Sequence, residues 1–220
     1  PARSGSKRIK NKKIIKFRGK PLISYTIKNL INTKLFDQII VSTDSKKIQK
    51  ISIKSGAKIF FKRPKQLSDD FTGTAKVINH SIKFIQNKGL TPKYICCVYP
   101  TSIMLKPEDI IKSFNKLKKS RSEFVFSITD YGHPPQRGFH LKNNKIQIIQ
   151  KKFFKKRTQD LPKIYHDAGQ FYWGKVNAWI KNKSFFTPKS YGYELSRHRV
   201  IDLDDKEDLK ALKIIFEAKN

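Results

Sequence analysis

One continuous stretch, QIIVSTDSKKIQKISIKSGAKIFF (38–61), predicts a strand, a helix and a second strand in succession. Its first six residues are mostly apolar and β-branched, which is typical of a strand that is buried on both faces. A helix is predicted from Ser45 to Ser55, and it ends at Gly56, since glycine readily adopts the left-handed conformation found at helix C-termini. Residues 57–61 return to a strand pattern. The stretch therefore predicts a β-α-β unit, in which the two strands are parallel.

The same alternation of helices and strands continues on both sides of this stretch. Pro21 suits the first turn of a helix, and the apolar residues after it follow helical spacing. Further elements are predicted as helices at Thr74–Asn87 and Pro107–Lys119 and as strands at Tyr94–Tyr99 and Glu123–Thr129. We therefore expect an α/β fold of three layers, with a mostly parallel sheet and helices on both faces. Such sheets bind ligands at the carboxyl ends of their strands, which places the site in the loops after Thr43, Phe61 and Tyr99 and in the opening loop.

The alternation breaks between Tyr131 and Tyr165. Prolines, an Asn-Asn turn and alternating polarity in Lys145–Gln150 are typical of hairpins. We expect residues 131–165 to form an inserted arm that projects from a single domain covering residues 1–220.

After the arm, the alternation of strands and helices resumes. A strand is predicted at Gln170–Gly174 and a short helix near Val176–Lys181. A last strand is expected at Arg199–Leu203, and Asp204 is expected to cap a final helix that runs to Ala218.

Composition excludes several classes of protein. With 220 residues of which 38% are hydrophobic, the chain is long enough for one buried α/β domain and too apolar to be intrinsically disordered. No apolar run approaches the roughly 18 residues that cross a bilayer, so no membrane protein is expected. The two cysteines, Cys96 and Cys97, are adjacent, and neighbours on a strand point to opposite faces, so they are not expected to form a disulfide. Together with the absence of a signal-peptide pattern, this favours the cytoplasm.

Positive charge is in large excess, with 48 Lys and Arg against 17 Asp and Glu and a net charge of +31. This raises an alternative from a different class, a basic nucleic-acid-binding domain on an α/β scaffold. The lysines are scattered over nearly every segment, however, and the composition is that of AT-rich coding DNA. The charge pattern makes nucleic acid the less favoured partner, and the same positive potential would also attract a small anionic substrate.

The chain opens with PARSGSKR, in which Arg3, Lys7 and Arg8 surround the small residues Ser4, Gly5 and Ser6. A loop of small residues after a strand can turn its backbone N–H groups inward and cradle an anion, and the cations add charge. The alternative is an ordinary basic surface loop, and the P-loop spacing is absent. Because the chain begins directly at this loop, we expect a strand upstream of it that the sequence does not include.

Two carboxylates flank Leu203 near the end of the chain. If residues 199–203 form a strand, Asp202 and Asp204 project to one face about 6–7 Å apart. Such a pair offers the hard oxygen ligands that Mg²⁺ prefers, with phosphates and water completing the octahedron. The alternative is that Asp204 only caps the last helix and Asp202 is solvated. Asp44, at the end of VSTD, is a secondary candidate as a cap or a ribose contact.

Several motifs in order resemble one enzyme family. PARSGSKR, GKPLISYTI, VSTD, RPKQLSDDFTGT, YPTS, DAGQFYWGK and IDLDDKEDL are similar to the cytidylyltransferases that activate nine-carbon acidic sugars. The segment DAGQFYWG resembles the pseudaminic acid branch more than the sialic acid branch. The resemblance spans essentially the whole chain and implies a nucleotide-diphospho-sugar transferase-like fold, with CTP and a nonulosonic acid as substrates and pyrophosphate as a product. It further implies Mg²⁺ as cofactor and a homodimer whose protruding arm makes the dimer contact.

The resemblance also implies roles for the nucleotide-binding residues. Arg3 and Lys7 match positions that hold the triphosphate and act in catalysis, Gly5 and Ser6 match its backbone cradle, and Lys12 matches a second basic position near the phosphates. Two residues depart from the family pattern, since Lys13 replaces an Asn and Ser4 stands where this branch usually has Gly. A serine is tolerated there if its φ stays negative or its side chain finds a local hydrogen bond. Further along, Arg63 matches the residue that reads the pyrimidine edge or ribose, and Thr74 lines the nucleotide pocket.

On the sugar side, the resemblance implies a pocket that grips a carboxylate and faces methyl and acetamido groups. Arg137 and Arg157 match basic positions near the sugar or in the partner subunit's arm, and a guanidinium can hold a carboxylate with two hydrogen bonds. The other expected sugar contacts are Tyr99, Gln170, Tyr172, Phe185 and Phe186. For the two phenylalanines, packing in the core is an equally good reading.

The reaction that we expect is transfer of CMP from CTP to the anomeric hydroxyl of a nonulosonic acid, with pseudaminic acid favoured. Arg3, Lys7, Asp202 and Asp204 are the expected catalytic residues, the last two through Mg²⁺. Sialic, legionaminic and deoxyoctulosonic acids are alternative acceptors.

Overall fold

The computed structural model describes residues 1–5, 9, 11–182 and 184–218. Six α-helices and eight strands lie in this part of the chain. The helices are α1 (Leu22–Asn32), α2 (Lys46–Lys54), α3 (Thr74–Gln86), α4 (Pro107–Lys119), α5 (Val176–Lys181) and α6 (Lys206–Glu217). The strands are β1 (Lys16–Phe17), β2 (Lys20–Pro21), β3 (Tyr94–Val98), β4 (Phe124–Asp130), β5 (Phe139–Lys142), β6 (Lys145–Ile148), β7 (Tyr165–Lys175) and β8 (Ser190–Glu194). The α/β class is confirmed.

The main sheet is mixed: three of its strands run in one direction, as the expected mostly parallel sheet requires, and β7 is the exception. Its strand order is β3-β7-β4-β8, with β7 antiparallel to both β3 and β4 and only β8 parallel to β4. The arm is the physical reason. Because it returns the chain from the end of β4 to the adjacent β7, the two strands are joined as in a long hairpin and are antiparallel.

The β-α-β unit of the opening stretch is present, but its two strands touch only briefly. They form one parallel bridge between Ile40 and Lys58. Val41 N donates to Lys58 O at 3.0 Å, and Lys58 N donates to Ile39 O at 2.7 Å. α2 lies between them and is capped by Ser45, whose side chain accepts from Ile48 N as the sequence predicts.

A slot separates this unit from β3. Two cavities, of about 160 and 480 Å³, lie in it and share several lining residues, including Ile40 and Tyr94. Among the described residues, the slot-facing backbone of residues 38–42 is hydrogen-bonded at its carboxyl end, where Ser42 O accepts from Ala2 N at 2.8 Å and from Arg63 Nη2. β3 lies on the other side of the slot. Just after this strand, Tyr99 N donates to Gln170 O, and every second residue before Tyr99 pairs with β7 in the same way. The residues between them, such as Cys96, therefore direct their backbone groups into the slot.

Helices pack on both faces of the main sheet. On one face, α3 and α5 pack against Phe124, Phe126 and Tyr172. On the other face, α4 packs against Val125 and Trp173. Within the described residues, no helix is both long and apolar enough to cross a membrane.

Two expectations for the C-terminal part are wrong. The last strand is Ser190–Glu194, whereas residues 199–203 have no strand structure. Gly192 permits this strand, because a Cβ there would lie 2.3 Å from Ile128 Cδ1 of the neighbouring β4. The cap of α6 is Asp205 and not Asp204. The Asp205 carboxylate accepts from Glu207 N and Asp208 N, while the Asp208 carboxylate accepts from Asp205 N, which is a complete capping box.

The segment 131–165 contains the expected hairpin. β5 and β6 pair only with each other, through a turn in which Asn143 and Asn144 both have positive φ, 51° and 60°. That is the geometry of a tight hairpin turn, in which asparagine is favoured. All eight residues of the two strands are exposed.

Candidate active site

A cavity of about 290 Å³ lies beyond the carboxyl end of β3, where the β-α-β pattern predicts a ligand. It brings together residues that are far apart in the sequence. Six of the expected site residues line this cavity, namely Arg3, Lys12, Arg63, Thr74, Tyr99 and Asp202. Lys13, Asp69 and Asp70 also line it. Basic side chains therefore enter one cavity from the opening loop, from the segment after it and from the loop after residue 61.

The opening loop is tied to two carboxylates. Arg3 Nη1 forms an ion pair with the Asp70 carboxylate. Ser4 donates its backbone N–H to Asp44 at 2.8 Å and its hydroxyl to the same carboxylate. Burial alone would raise the pKa of Asp44, but the hydrogen bonds from Ser4 lower it. Ser4 has no positive φ and has found the local hydrogen bond that a serine requires there.

The glycine of this loop is not demanded by geometry. Gly5 has an ordinary φ, and a Cβ at this residue would contact nothing within 4 Å. Ser6 and Lys7, which are expected to complete the anion cradle and to act in catalysis, lie outside the described residues.

Lys12 lies against the two carboxylates that are expected to bind metal. Its Nζ is 3.1 Å from Asp204 Oδ1 and 3.9 Å from Asp202 Oδ1. Asp202 is largely exposed, and Asp204 is half-buried. Both carboxylates therefore converge on one cationic position, although they reach it from irregular backbone and not from a strand.

Lys13, which sequence reasoning noted only as a departure from the family pattern, also lines the cavity. Burial, followed by repulsion from Arg3, Lys12 and Arg63, lowers its pKa to about 8. The Asp44 carboxylate opposes this shift. The buried position of a lysine among other cations is a signal that only the structure provides.

The lowered pKa of Lys13 leads to a pH prediction. Below about pH 8 its ammonium is charged and attracts phosphate, whereas above that pH the free protein loses this charge. A bound polyphosphate raises the pKa again, so binding takes up a proton and weakens as pH rises. We expect the KM for CTP to rise up to about tenfold per pH unit between pH 8 and the pKa of the complex. A Lys13→Asn variant should bind CTP more weakly at pH 7 and lack this increase, and an unchanged pH profile in that variant would contradict the prediction.

Arg63 is buried at the cavity wall. Its Nε donates to Ser42 Oγ at 3.1 Å, its Nη2 donates to Ser42 O, and its Nη1 lies 3.5 Å from Leu67 O. These bonds hold the loop after residue 61 against the end of residues 38–42. A guanidinium has five N–H groups, so two remain for a ligand in the cavity.

Two tyrosines lie between the cavity and the sheet. Thr74 Oγ1, in the first turn of α3, is 2.8 Å from Tyr99 Oη. The Tyr99 ring packs against the ring of Tyr172 at a centroid distance of 5.5 Å, and Tyr172 donates its hydroxyl to Asp167 Oδ2 at 2.7 Å. Burial is the main cause that raises the pKa of both tyrosines. Asp167 also accepts from Gly169 N at 2.9 Å. Asp167 begins the DAGQFYWG motif, but sequence reasoning did not select it.

The remaining sugar-side candidates are distributed between the core and the arm. Gln170 is buried in the sheet and donates to Ala168 O, and Phe185 packs on Tyr172 at a ring distance of 4.2 Å. Phe186 is exposed. Packing therefore accounts for Phe185, and the exposed Phe186 lies against the rings of Phe126 and Phe185.

The two arginines expected near the sugar both lie in the arm segment. Arg137 Nη1 donates to Thr158 Oγ1 at 3.2 Å, and Arg157 Nε pairs with Asp160 at 3.2 Å. Both are exposed, and neither lines the cavity within this chain.

Comparisons with known proteins agree with this geometry. The chain is 39% identical to pseudaminic acid cytidylyltransferase of Campylobacter jejuni subsp. jejuni serotype O:2, over all of this chain and 95% of that protein. It is 27% identical to N-acylneuraminate cytidylyltransferase of Escherichia coli O18:K1:H7, over all of this chain and 52% of that protein. Among solved structures, CMP:2-keto-3-deoxy-manno-octonic acid synthetase in complex with CTP superposes with a TM-score of 0.73 at 11% identity, covering all of this chain and 97% of that one, which shows the shared fold. The profile of the cytidylyltransferase family matches residues 1–220, and the chain belongs to that family.

Proposed function

We propose that this cytidylyltransferase transfers CMP from CTP to the anomeric hydroxyl of pseudaminic acid and releases pyrophosphate. The observation that carries the proposal is the cavity at the end of β3, in which Arg3, Lys12, Lys13 and Arg63 converge. Full-length identity of 39% to a pseudaminic acid cytidylyltransferase supports the choice of acceptor. Both cysteines are free thiols, which supports a reducing compartment, and we propose the cytoplasm.

In this reaction the anomeric oxygen forms a bond to the α-phosphorus as the bond to the leaving pyrophosphate breaks, and the hydroxyl proton is released. Negative charge builds on the phosphate oxygens. Arg3 and Lys12 already hold carboxylates, Asp70 and Asp204, so an incoming triphosphate competes with those ion pairs. The carboxylates hold the side chains of Arg3 and Lys12 in place until the triphosphate replaces them. Positive charge that is positioned before the reaction in this way stabilises the transition state.

Asp202 and Asp204 fit the Mg²⁺ that we propose as cofactor. Their carboxylates are the hard oxygen donors that this ion prefers, and both already lie within 4 Å of one cationic group, Lys12 Nζ. Phosphate oxygens and water supply the remaining ligands of such an ion. When bound, Mg²⁺ would neutralise charge on the phosphates. Among the described residues, no group of three or more His, Cys, Asp or Glu is placed to hold a metal.

Pyrophosphate release tests the proposal. The protein is incubated with CTP, Mg²⁺ and, in turn, pseudaminic, sialic, legionaminic and deoxyoctulosonic acids, with ATP, GTP and UTP as controls. We expect release with CTP and pseudaminic acid. Release with another acid would contradict the choice of acceptor and keep the reaction. Absence of release from folded protein, together with steeply salt-dependent binding to nucleic acid, would favour the alternative of a nucleic-acid-binding domain.

We also propose that the chain acts as a homodimer through the arm. Phe139 pairs with Ile148 and Leu141 pairs with Ile146 across the hairpin, so these four apolar side chains share one face. Each is at least 38% exposed. Contiguous apolar patches of this kind mark interfaces, and a second copy would cover this one.

Charge placed on this face is expected to separate the subunits. A Leu141→Lys, Ile146→Lys variant should weaken dimerisation by more than about a hundredfold, because two lysines would be buried without partners. Sedimentation velocity measures the change. Gln147→Lys, on the opposite face of the same hairpin, is the matched control and should remain dimeric. A wild-type protein that is monomeric at all concentrations would overturn the proposal.

A further inference from the structure

A buried ion pair holds the start of the segment that carries Asp202 and Asp204. Residues 200–204 have no helix or strand structure, so contacts with other elements determine where they lie. Arg199, just before them, pairs with Asp109 in the first turn of α4, with Nη1 2.5 Å from Oδ2 and Nη2 3.1 Å from Oδ1. The two side chains are 13% and 8% exposed. A guanidinium that meets a carboxylate at two points fixes its orientation as well as its distance.

The partner of Arg199 lies on a well-anchored part of the fold. Asp109 follows the loop between β3 and α4, and this loop is held from α1 at two points. Thr26 Oγ1 donates to Pro100 O at 3.0 Å. Asn29 Nδ2 donates to Leu105 O at 2.8 Å. Since Pro100 lines the cavity, the ion pair ties the segment of the two carboxylates to the loop that forms a wall of the same cavity.

The two carboxylates are held from different sides. Asp204 N donates to Asp208 Oδ2 at 2.7 Å, which ties Asp204 to α6. Leu203, between the two carboxylates, is 1% exposed in the core. Asp202 lies on the other side of Leu203, only two residues after Arg199, and its side chain is 82% exposed. The ion pair of Arg199 therefore holds the backbone that leads into Asp202.

We propose that Arg199, paired with Asp109, is a positioning residue that places the Asp202 carboxylate for the divalent cation. The inference rests on the proposed function, in that Asp202 and Asp204 are taken to bind Mg²⁺. Neither Arg199 nor Asp109 is among the described residues that line the cavity, so the pair acts through the segment and not by contact with substrate. Two carboxylates bind one ion only if they meet at one point, so a shift of Asp202 weakens binding even while Asp204 stays in place.

The Mg²⁺ dependence of CTP binding tests the inference. Calorimetry without acceptor sugar gives the affinity for CTP with and without Mg²⁺, and their ratio is the gain that the metal provides. Arg199→Lys keeps the charge but loses the two-point contact. We expect the gain to fall about fivefold or more, while the affinity for CTP without Mg²⁺ stays unchanged. Asp202→Asn should lower the gain similarly, and the double variant should show no further loss, because Arg199 acts through Asp202.

A second measurement needs neither metal nor nucleotide. In the protein alone, Arg199→Lys should speed amide hydrogen exchange at residues 200–202, because the backbone there loses its anchor. Unchanged exchange in this segment would contradict the positioning role. Should Arg199→Lys fail to fold, Asp109→Asn, which keeps the shape of the side chain and one acceptor for Arg199, serves in both measurements.

Two controls separate positioning from general damage. Arg197→Lys changes an arginine in the same helical turn, whose Nε pairs with Asp130 at 3.2 Å and whose side chain is half exposed, and it should keep the full gain. Val176→Ala lowers stability by a packing loss in α5, far from the segment along the chain, and should also keep it. A wild-type protein whose CTP affinity does not depend on Mg²⁺ would overturn the proposed cofactor. A full gain in Arg199→Lys, or an equal loss of the gain in Val176→Ala, would overturn this inference alone.

Discussion

A chain in which five apolar residues precede Pro1 is expected to be far more stable than the chain that begins at Pro1. An extended segment joined to Pro1 would enter the slot between residues 38–42 and β3, parallel to both, because Ala2 already bonds to Ser42 at the carboxyl end of that slot. Five buried apolar residues with strand pairing on two sides should add on the order of 5 kcal/mol to the free energy of unfolding, or about 10 °C in Tm.

Two polar groups in the slot support this expectation. Gln38 Oε1 and Trp173 Nε1 are buried without a hydrogen-bond partner among the described residues, and both residues line the slot. The slot therefore has both apolar walls and unpaired backbone edges, as the interior of a sheet has when one strand is added between two others.

Thermal unfolding and hydrogen exchange measure the effect. An extension of the same length with lysines in place of the apolar residues is the matched control, since it cannot be buried. The apolar extension should also slow amide exchange at Ile40 and Cys96. Equal stability of the two extended chains would contradict both this prediction and the upstream strand expected from the sequence.

Asp204→Asn is expected to lower the kcat of CMP transfer by more than about a hundredfold while the protein stays folded. Asn keeps the shape of the side chain but removes the charge that faces Lys12 Nζ at 3.1 Å and would hold Mg²⁺. Since Asp204 is half-buried at the edge of the cavity, its loss should alter the apparent affinity for Mg²⁺ more than the unfolding temperature.

The neighbouring Asp205 provides the matched control. Its carboxylate caps α6 through Glu207 N and Asp208 N, so Asp205→Ala should cost about 1 kcal/mol of stability and leave turnover intact. Steady-state kinetics at varied Mg²⁺ and thermal unfolding of both variants measure the two effects. If Asp205→Ala abolished turnover and Asp204→Asn did not, the assignment of the two carboxylates would be reversed.

Most of the helices were predictable from the sequence, because their signals are local. Pro107–Lys119 and Val176–Lys181 have the bounds that their periodicity predicts, and Ser45 caps α2 as expected. The last strand was not predictable in this way. Ser190–Glu194 contains glycine and polar residues and pairs as a strand only because β4 lies beside it, with room for no side chain at Gly192.

The residues of the candidate site also differ in whether the sequence predicts them. The motifs predict which basic and acidic residues meet, and the cavity brings Arg3, Lys12, Arg63 and Thr74 together. They do not predict the lowered pKa of Lys13, since that depends on burial among cations from separate segments.

By itself the sequence determined the α/β class, the family and six of the residues that line the cavity at the end of β3, because helix periodicity and motif spacing are properties of neighbouring residues. Only the tertiary structure decided the direction of β7, the identity of the α6 cap and the meeting of Thr74 with Tyr99. The direction of β7 and the contact of Thr74 with Tyr99 depend on segments distant in the chain. The arm returns the chain beside the neighbouring β4, so that β7 pairs with it in the antiparallel direction.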